Sequence, residues 1–465
     1  MAGLFLTGSV ALAQVDTIAF GITGECSWTL TGTGNDLTME IAKITGNGKM
    51  ADYPTPGNTV PWSGYKARIK TVVIGDGVTS IGDFAFYFCT GVTSITFPES
   101  VTRIGYAAFN GCTALTSVTL PASLTSLDEG WPFGECYNLT SITFPESLTS
   151  IGRSAFYKCI KLESVTLPAS LTSIGYCAFQ ECTALTSVTI PASVTSIGIG
   201  AFIDCAALTS VTFPDSLTSI GDWTFTSCYN LTSVTFPESL TSIGAWAFEE
   251  CTALTSVTFP DSLTSIGACA FRYCRGLTSV TFPESLKSIG NEAFKNCTSL
   301  DSVTIHSTNP DSISYGADVF AGINLSNVSL IVPSSSVEKY KNATNVWGGF
   351  SNDHIIGGGV LLRVAANNGA LGSVTGAALS GLYPENTLFT LRATPIKGCH
   401  FLGWTSHSAD LGNADTLSFS LTQDTVITAN FEADTFHITY ELNGGENDAL
   451  NPKTYTVLSD PITLQ

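Results

Sequence analysis

Charge is scarce in this chain. Only 12% of its 465 residues are Asp, Glu, Lys or Arg, and 38 acidic residues outnumber 19 basic ones. A nucleic-acid partner needs Lys and Arg clusters to neutralise phosphates; none is present, and the net charge of −19 argues the same way. Long apolar runs are missing too: none reaches the ~18 residues of a membrane-spanning helix, so no anchor of that kind is expected within the chain. Histidine is rarer still, at five, and the first is His306. The many Ser and Cys residues before it therefore have no imidazole to activate them as nucleophiles. No catalytic residue, metal-ligand set or cofactor is expected.

Gly, Ser and Thr are abundant, which suits a β-rich architecture with many turns. The length allows two to four folding units. The acidic excess is spread along the chain and serves solubility. At the start, an apolar stretch from Leu4 to Leu12 runs into Ala11-Leu12-Ala13 before Gln14, a small-x-small cleavage pattern. It predicts an export signal over 1–13, although no basic residue occurs before Lys43. A first buried strand is the other reading of the same stretch.

Self-comparison gives the fold. From about Val78 to Thr304 one sentence recurs, L-T-S-I-G-x-x-A-F-x-x-C-x-x-L-T-S-V-T-F-P-x-S. Its cysteines, from Cys89 to Cys297, fall 23 residues apart except for 24 between Cys112 and Cys136. Phe keeps the same register from Phe86 to Phe294 and Pro from Pro98 to Pro283. A unit this short cannot bury its own apolar face, so the copies must stack. Leu208, Val211 and Phe213 should point inward and Ser210 and Thr212 outward. Leu217 and Ile220 should enter from the opposite wall, with Gly221 permitting the turn. The Ala201-Phe202 step suits a short helical turn. Ten coils at strand spacing give a stack about 50 Å long.

These residues closely resemble the BspA-type leucine-rich repeat of bacterial and protist surface proteins. The resemblance implies a β-rich α/β solenoid of about ten 23-residue coils (75–306) between an N-terminal capping segment (14–74) and a C-terminal cap (307–357). After Gly358 the pattern stops. Leu388–Pro395, G-C-H-F-L-G-W and Thr425–Phe431 resemble the divergent internalin-type B repeat, a small β module (358–433) found as a stalk or spacer on bacterial surface proteins. Residues 434–465 look like the opening half of a second such module, truncated.

Fourteen cysteines in an exported chain would ordinarily suggest disulfides. A column repeating every 23 residues places neighbouring thiols one coil apart with parallel Cα–Cβ vectors, whereas a disulfide needs them convergent. Mostly free thiols are expected, acting as a buried apolar spine. On that reading Cys205→Ser would bury a hydroxyl without a partner.

Outward strand positions are Ser then Thr in every copy, and carry little partner-specific information. Variation concentrates just after S-I-G and around A-F-x-x-C, where Phe84, Tyr106, Trp131, Tyr176, Trp223 and Trp246 are the candidate binding residues. Exposed aromatics are the usual anchors of interfaces; sideways packing onto neighbouring coils is the competing role. The one-residue insertion near Asp128-Glu129-Gly130-Trp131-Pro132 has two readings, an outward loop with Trp131 at its tip and a harmless register defect. The acidic column Asp215, Glu238, Asp261 and Glu284 serves solubility and edge protection as well as it would a basic partner.

The resemblance implies a non-catalytic, secreted or surface-displayed adhesion protein whose partner is a host or microbial protein or glycan. The alternatives are an ordered-water, ice-binding Ser-x-Thr array, or a purely structural surface-layer component.

Overall fold

The 23-residue copies wind into coils, each resting on the one before. The computed structural model describes residues 17–43, 46–54, 60–376, 380–406, 409–437 and 454–456. The expected signal segment and most of the partial module after His437 lie outside them. The chain forms two compact units. The first runs to Thr281 and includes Ser285–Asp301 and Ile313–Leu325; the second takes Phe282–Glu284, Ser302–Ser312 and the chain from Ser326 onward.

In the first unit a coil has three hydrogen-bonded sides. On one, S-V-T tripeptides pair in parallel and in register, Ser187, Val188 and Thr189 beside Ser210, Val211 and Thr212. Alternation buries the Val and exposes Ser and Thr. On a second side, two-residue S-I strands pair likewise, Ser173 and Ile174 beside Ser196 and Ile197. Leu208, Val211, Phe213, Leu217 and Ile220 are all buried, as the pattern predicts.

The third side departs from expectation. The A-F segment is not a helical turn. The amides of Phe84, Phe86 and Phe88 donate to the carbonyls of Tyr106, Ala108 and Asn110 in the next coil. Those of Ala85, Tyr87 and Cys89 close turns onto Gly82, Phe84 and Phe86. Phe84 and Phe88 achieve this with left-handed backbone, φ 53° and 54°. A helix would keep every amide within its own coil; alternating left-handed residues send every second one across, so all six are satisfied. The same two positions of later coils repeat it, for example Trp223 and Ser227, or Trp246 and Glu250.

Inside the coil the Phe column forms a continuous stack. Neighbouring rings lie between 5.1 Å (Phe86 to Phe109) and 5.9 Å (Phe133 to Phe156) apart. It extends one step beyond the repeat sentence at each end: Trp62 stacks on Phe86 at 5.6 Å and Phe320 on Phe294 at 5.7 Å. One Trp, ten repeat Phe and Phe320 make twelve levels, two more than the repeat alone. Beside this stack the cysteines are free and buried. Their thiols are not apolar filler alone, however. Each thiol of the 23-residue column from Cys112 to Cys297, which leaves out Cys177 and Cys269, donates to the carbonyl of the Phe one coil back, as in Cys112 to Phe86 at 3.4 Å and Cys297 to Phe271 at 3.2 Å. The partner expected to be missing is therefore present.

The S-I-G glycines answer to space rather than to turn geometry. A Cβ on Gly198 would meet the Gly175 carbonyl carbon at 2.5 Å and the Tyr176 nitrogen at 2.6 Å, so the coils close only without a side chain there. At the N-terminal end, strands β1 (Thr17–Thr23), β2 (Cys26–Thr33) and β3 (Asp36–Lys43) form an antiparallel meander. β3 pairs in parallel with β4 (Ile69–Ile74), the first strand of the coil stack. Trp28, Leu30, Met39 and Ile41 bury its inner face.

In the second unit Ser302–Ile305, Ser329–Val332 and Ile355–Gly357 line up in parallel, with the short helix Val337–Lys341 beside them. Trp347 and Tyr340 are fully buried there, and the Tyr340 hydroxyl donates to the Ser307 carbonyl at 3.1 Å. Beyond Gly358 two sheets enclose a core of Leu362, Phe389, Leu391, Trp404, Ile427 and Phe431. Cys399 sits at the margin of that core. His400 is exposed and faces Asp434 at 2.7 Å, while His407 lies outside the described residues.

Candidate functional site

The variable residues of the coils gather along the third side of the stack. Two features put them there. The left-handed residue before A-F turns its side chain away from the coil interior, and the cross-coil hydrogen bonds hold successive turns in line. Bulky residues rarely take this backbone, so aromatics at Phe84, Trp131, Trp223 and Trp246 are held by the ladder around them, not by local preference.

Three groups form along this edge. Phe84 contacts Tyr106 edge-on at 5.3 Å and Tyr87 at 5.5 Å, and Tyr87 in turn touches Phe88 at 4.7 Å. Tyr106 and Phe88 are each 40% exposed. Further along, Arg153 lies over the ring of Tyr176 at 5.2 Å. Tyr176 is 47% exposed, and Ile199 in the next coil, whose carbonyl accepts from the Cys177 amide, is exposed as well; so is Ile160, in the turn after Cys159. Last, Trp223 and Trp246 stack in parallel, 4.9 Å apart at 7°. The edge thus brings Phe84 to Tyr106 and Trp223 to Trp246, and leaves Tyr176 with a cation instead of a ring.

Trp131 is not the tip of a loop. Its amide donates to the Arg153 carbonyl at 2.9 Å, its φ of 63° matches that of the other coils, and its ring packs edge-on against Tyr157 at 4.9 Å. The extra residue is absorbed upstream, between Asp128 and Gly130, so the Trp keeps the ordinary ladder position and is half-buried.

Electrostatics along the edge are mild. The Tyr176 phenol is raised above its ordinary value, chiefly by its hydrogen bond with Cys177, with Arg153 pulling the other way. Burial raises Tyr87 and the charge of Glu135 adds to it. Both phenols stay neutral donors near neutral pH. The Asp204 carboxyl is raised by burial first, with Ser227 opposing and Glu181 and Glu250 adding. Glu238 is raised by burial and by Asp261, and Glu284 is paired to Arg363 at 2.7 Å. Among the described residues no group of three or more His, Cys, Asp or Glu is placed to hold a metal ion.

Residues 64–183, 131–253 and 220–344 match the family described as BspA type leucine rich repeat region, six copies. The chain belongs to the BspA-type leucine-rich-repeat family. Residues 362–435 of this BspA-type protein match the divergent InlB B-repeat domain. A leucine-rich repeat protein from Bacteroides ovatus is 26% identical over 72% of this chain and 97% of its own, with a TM-score of 0.45. A leucine rich cell surface protein from Faecalibacterium prausnitzii is 27% identical over 62% and 95%, with a TM-score of 0.35. The pneumococcal vaccine antigen PcpA is 18% identical over 69% and 95%, with a TM-score of 0.43. No curated protein matches the chain.

Tyr87, Phe88, Tyr157, Ile160 and Ile199 of this BspA-type edge were not singled out from sequence. Their signal was present: each occupies a position that varies between copies, and Tyr87 and Tyr157 touch Phe84 and Trp131, two aromatics that were singled out.

Proposed function

We propose that this protein is a non-catalytic adhesion module, exported and displayed at the cell surface or released from it. In this reading the solenoid (75–306) recognises a host or microbial protein or glycan, and the β module (358–433) spaces it from whatever holds it. The family supports the class of function, since BspA-type repeats belong to surface proteins that act by binding. No helix among the described residues is long and apolar enough to cross a membrane.

One observation carries the choice of surface. The S-x-T face is chemically the same in every coil, while the adjoining turn edge differs from coil to coil and exposes Tyr106, Tyr176 and Trp223. Specificity needs positions that differ, and aromatic side chains give large contact area at small entropic cost. Probing a glycan and extracellular-matrix array with the chain from Gln14 onward tests the reading. Saturable binding competed away by the free ligand is expected; catalytic turnover of an arrayed glycan or peptide, or no binding to any surface, would sink it.

A further inference from the structure

A run of glycines at a module boundary ordinarily makes a flexible linker. Gly357, Gly358 and Gly359 form such a run, between the last strand of the C-terminal cap, Ile355–Gly357, and the first strand of the β module, Val360–Ala366. Cap, glycines and module all belong to the second compact unit. Gly357 still stands in the ladder of the cap, opposite Val332, and Val360 already stands in that of the module, opposite Tyr383. Only Gly358 and Gly359 separate the two ladders, and both are tied. The Gly358 amide donates to the Val332 carbonyl at 2.9 Å, and the Gly359 amide to the Ser334 hydroxyl at 3.2 Å. The Gly359 carbonyl accepts from the Ser334 amide at 2.8 Å.

Space explains the glycines better than freedom does. A Cβ on Gly358 would lie 2.5 Å from the Ile331 side chain of the cap and 2.8 Å from that of Leu382 in the module. On Gly359, whose φ is 108°, a Cβ would run into the Tyr383 carbonyl. A hinge needs room to swing, and the two walls close on these residues instead.

Two side chains fasten the seam from either side. Asp424, in the turn before Thr425–Ala433, accepts from the Leu361 amide of its own module with one oxygen and from the Ser335 hydroxyl of the cap with the other, both at 2.8 Å. Arg363 of the module pairs with Glu284 at 2.7 Å. Apolar packing adds little around Asp424, because open clefts flank it: Thr308 and Lys339 line one, Glu385 and Gln423 the other. Its hold is therefore in its two hydrogen bonds.

We infer that Gly357–Gly359 is a rigid joint rather than a hinge, so that the C-terminal cap and the β module turn as one piece. Gly358 and Gly359 let the two ladders meet without a gap, and Asp424 bolts them. A module joined in this way fixes the direction of the cap it carries, which a spacer on a loose linker does not.

The test uses the whole chain with a spin label on each side of the joint. All fourteen natural cysteines are buried, so labels go to thiols introduced by Glu338→Cys in the cap and Thr394→Cys in the module, both exposed positions. Pulsed electron resonance should give one narrow distance. Gly359→Ala should broaden or split it, because backbone must move, and Asp424→Ala should broaden it by freeing the Ser335 side. Hydrogen exchange at Gly358, Gly359 and Leu361 should be slow in the unaltered chain and faster in both variants. The strand Thr387–Pro395 should stay slow throughout, which shows that the module remains folded in each variant. A broad distance distribution with fast exchange at the glycines of the unaltered chain makes the run a hinge and overturns the proposal. A narrow distance that survives both substitutions with exchange unchanged overturns it too, since neither glycine fit nor Asp424 then holds the joint. No ligand enters the measurement, so its outcome is separate from that of the binding reading.

Discussion

The Cys205 thiol donates to the backbone carbonyl of Phe179, one coil back, at 3.3 Å. The residue that fills the coil interior beside the Phe stack thereby also ties two coils together. A serine at this position keeps a donor within reach of the same carbonyl, so Cys205→Ser should cost only about 1 kcal/mol, the value of a slightly misplaced hydrogen bond. Cys205→Val removes the donor and adds a branch to a closed space, and should cost about 2–3 kcal/mol. Chemical denaturation of the two variants checks the order; a serine more damaging than valine would mean that the sulfur acts only as apolar filler.

The same burial makes the stack sensitive to alkali. Burial raises all ten ladder thiols, with Cys89, Cys136 and Cys297 pushed up to about 12. An unfolded thiol ionises near 8.5. Below that pH both states hold the proton and nothing is lost. Above it the unfolded chain releases protons that the folded chain keeps, so stability falls by about 1.4 kcal/mol per pH unit for each thiol. Melting temperature should therefore hold from pH 6 to 8 and drop steeply between pH 9 and 11. Replacing several ladder cysteines with alanine should lower stability at pH 7 yet flatten that drop.

Glycines of the S-I-G step should differ among themselves. A Cβ on Gly198 meets backbone atoms of the preceding coil at 2.5–2.7 Å, whereas on Gly221 the nearest atom, the Ile197 carbonyl oxygen, is 3.2 Å away. Gly198→Ala should cost about 3 kcal/mol, because backbone must shift, and Gly221→Ala about 1 kcal/mol or less. Equal losses would return the glycine to the turn-forming role that its sequence position suggests.

Much of this architecture was legible because a period of 23 residues states it ten times. The inward Leu, Val and Ile, the outward Ser and Thr, and the free cysteines all follow from strand alternation and stacking. Other features needed coordinates. Trp62 and Phe320 extend the ring stack, but neither sits in a recognisable copy of the repeat. The left-handed backbone at Phe84 and Trp223 was hidden because glycine, its usual sign, occupies that position in few coils. Trp131 reads as an insertion tip until its register is fixed from Phe133, two residues later. The acceptor for each thiol is a backbone carbonyl one coil away, which no side-chain pattern reports.

Each coil touches only its neighbours, so whole units should be removable. Deleting Thr209–Leu231 takes out one Phe of the ring stack (Phe225), one ladder Cys (Cys228) and one of each strand, and joins Leu208 to Thr232 in the original register. Circular dichroism should show a folded, shorter solenoid with a somewhat lower melting temperature. Deleting twelve residues from the same place breaks all three ladders at once, and should give insoluble protein. Equal tolerance of both deletions would contradict the coil path.

The turn edge and the S-x-T face can be separated by paired substitutions. Trp223→Ala, Trp246→Ala and Tyr176→Ala should each weaken binding to a ligand found on the array, by about 2 kcal/mol where the ring is an anchor. Thr212→Ala combined with Thr235→Ala should change it little, since every coil presents the same hydroxyls. The Trp pair needs a control, because the rings stack at 4.9 Å and each truncation strips the other of a partner. About 1 kcal/mol of stability should go with either, and a double-mutant cycle should show that the second truncation costs less than the first. Tyr176 has no ring partner among the described residues, its contacts being Arg153 above the ring and the hydrogen bond to Cys177, and is the cleaner probe. Its loss should lower affinity at nearly constant melting temperature. If the threonine changes abolish binding while the three aromatic changes leave it intact, recognition belongs to the uniform face. A ligand that repeats along its length, such as a polysaccharide, then fits the protein better than a folded partner does.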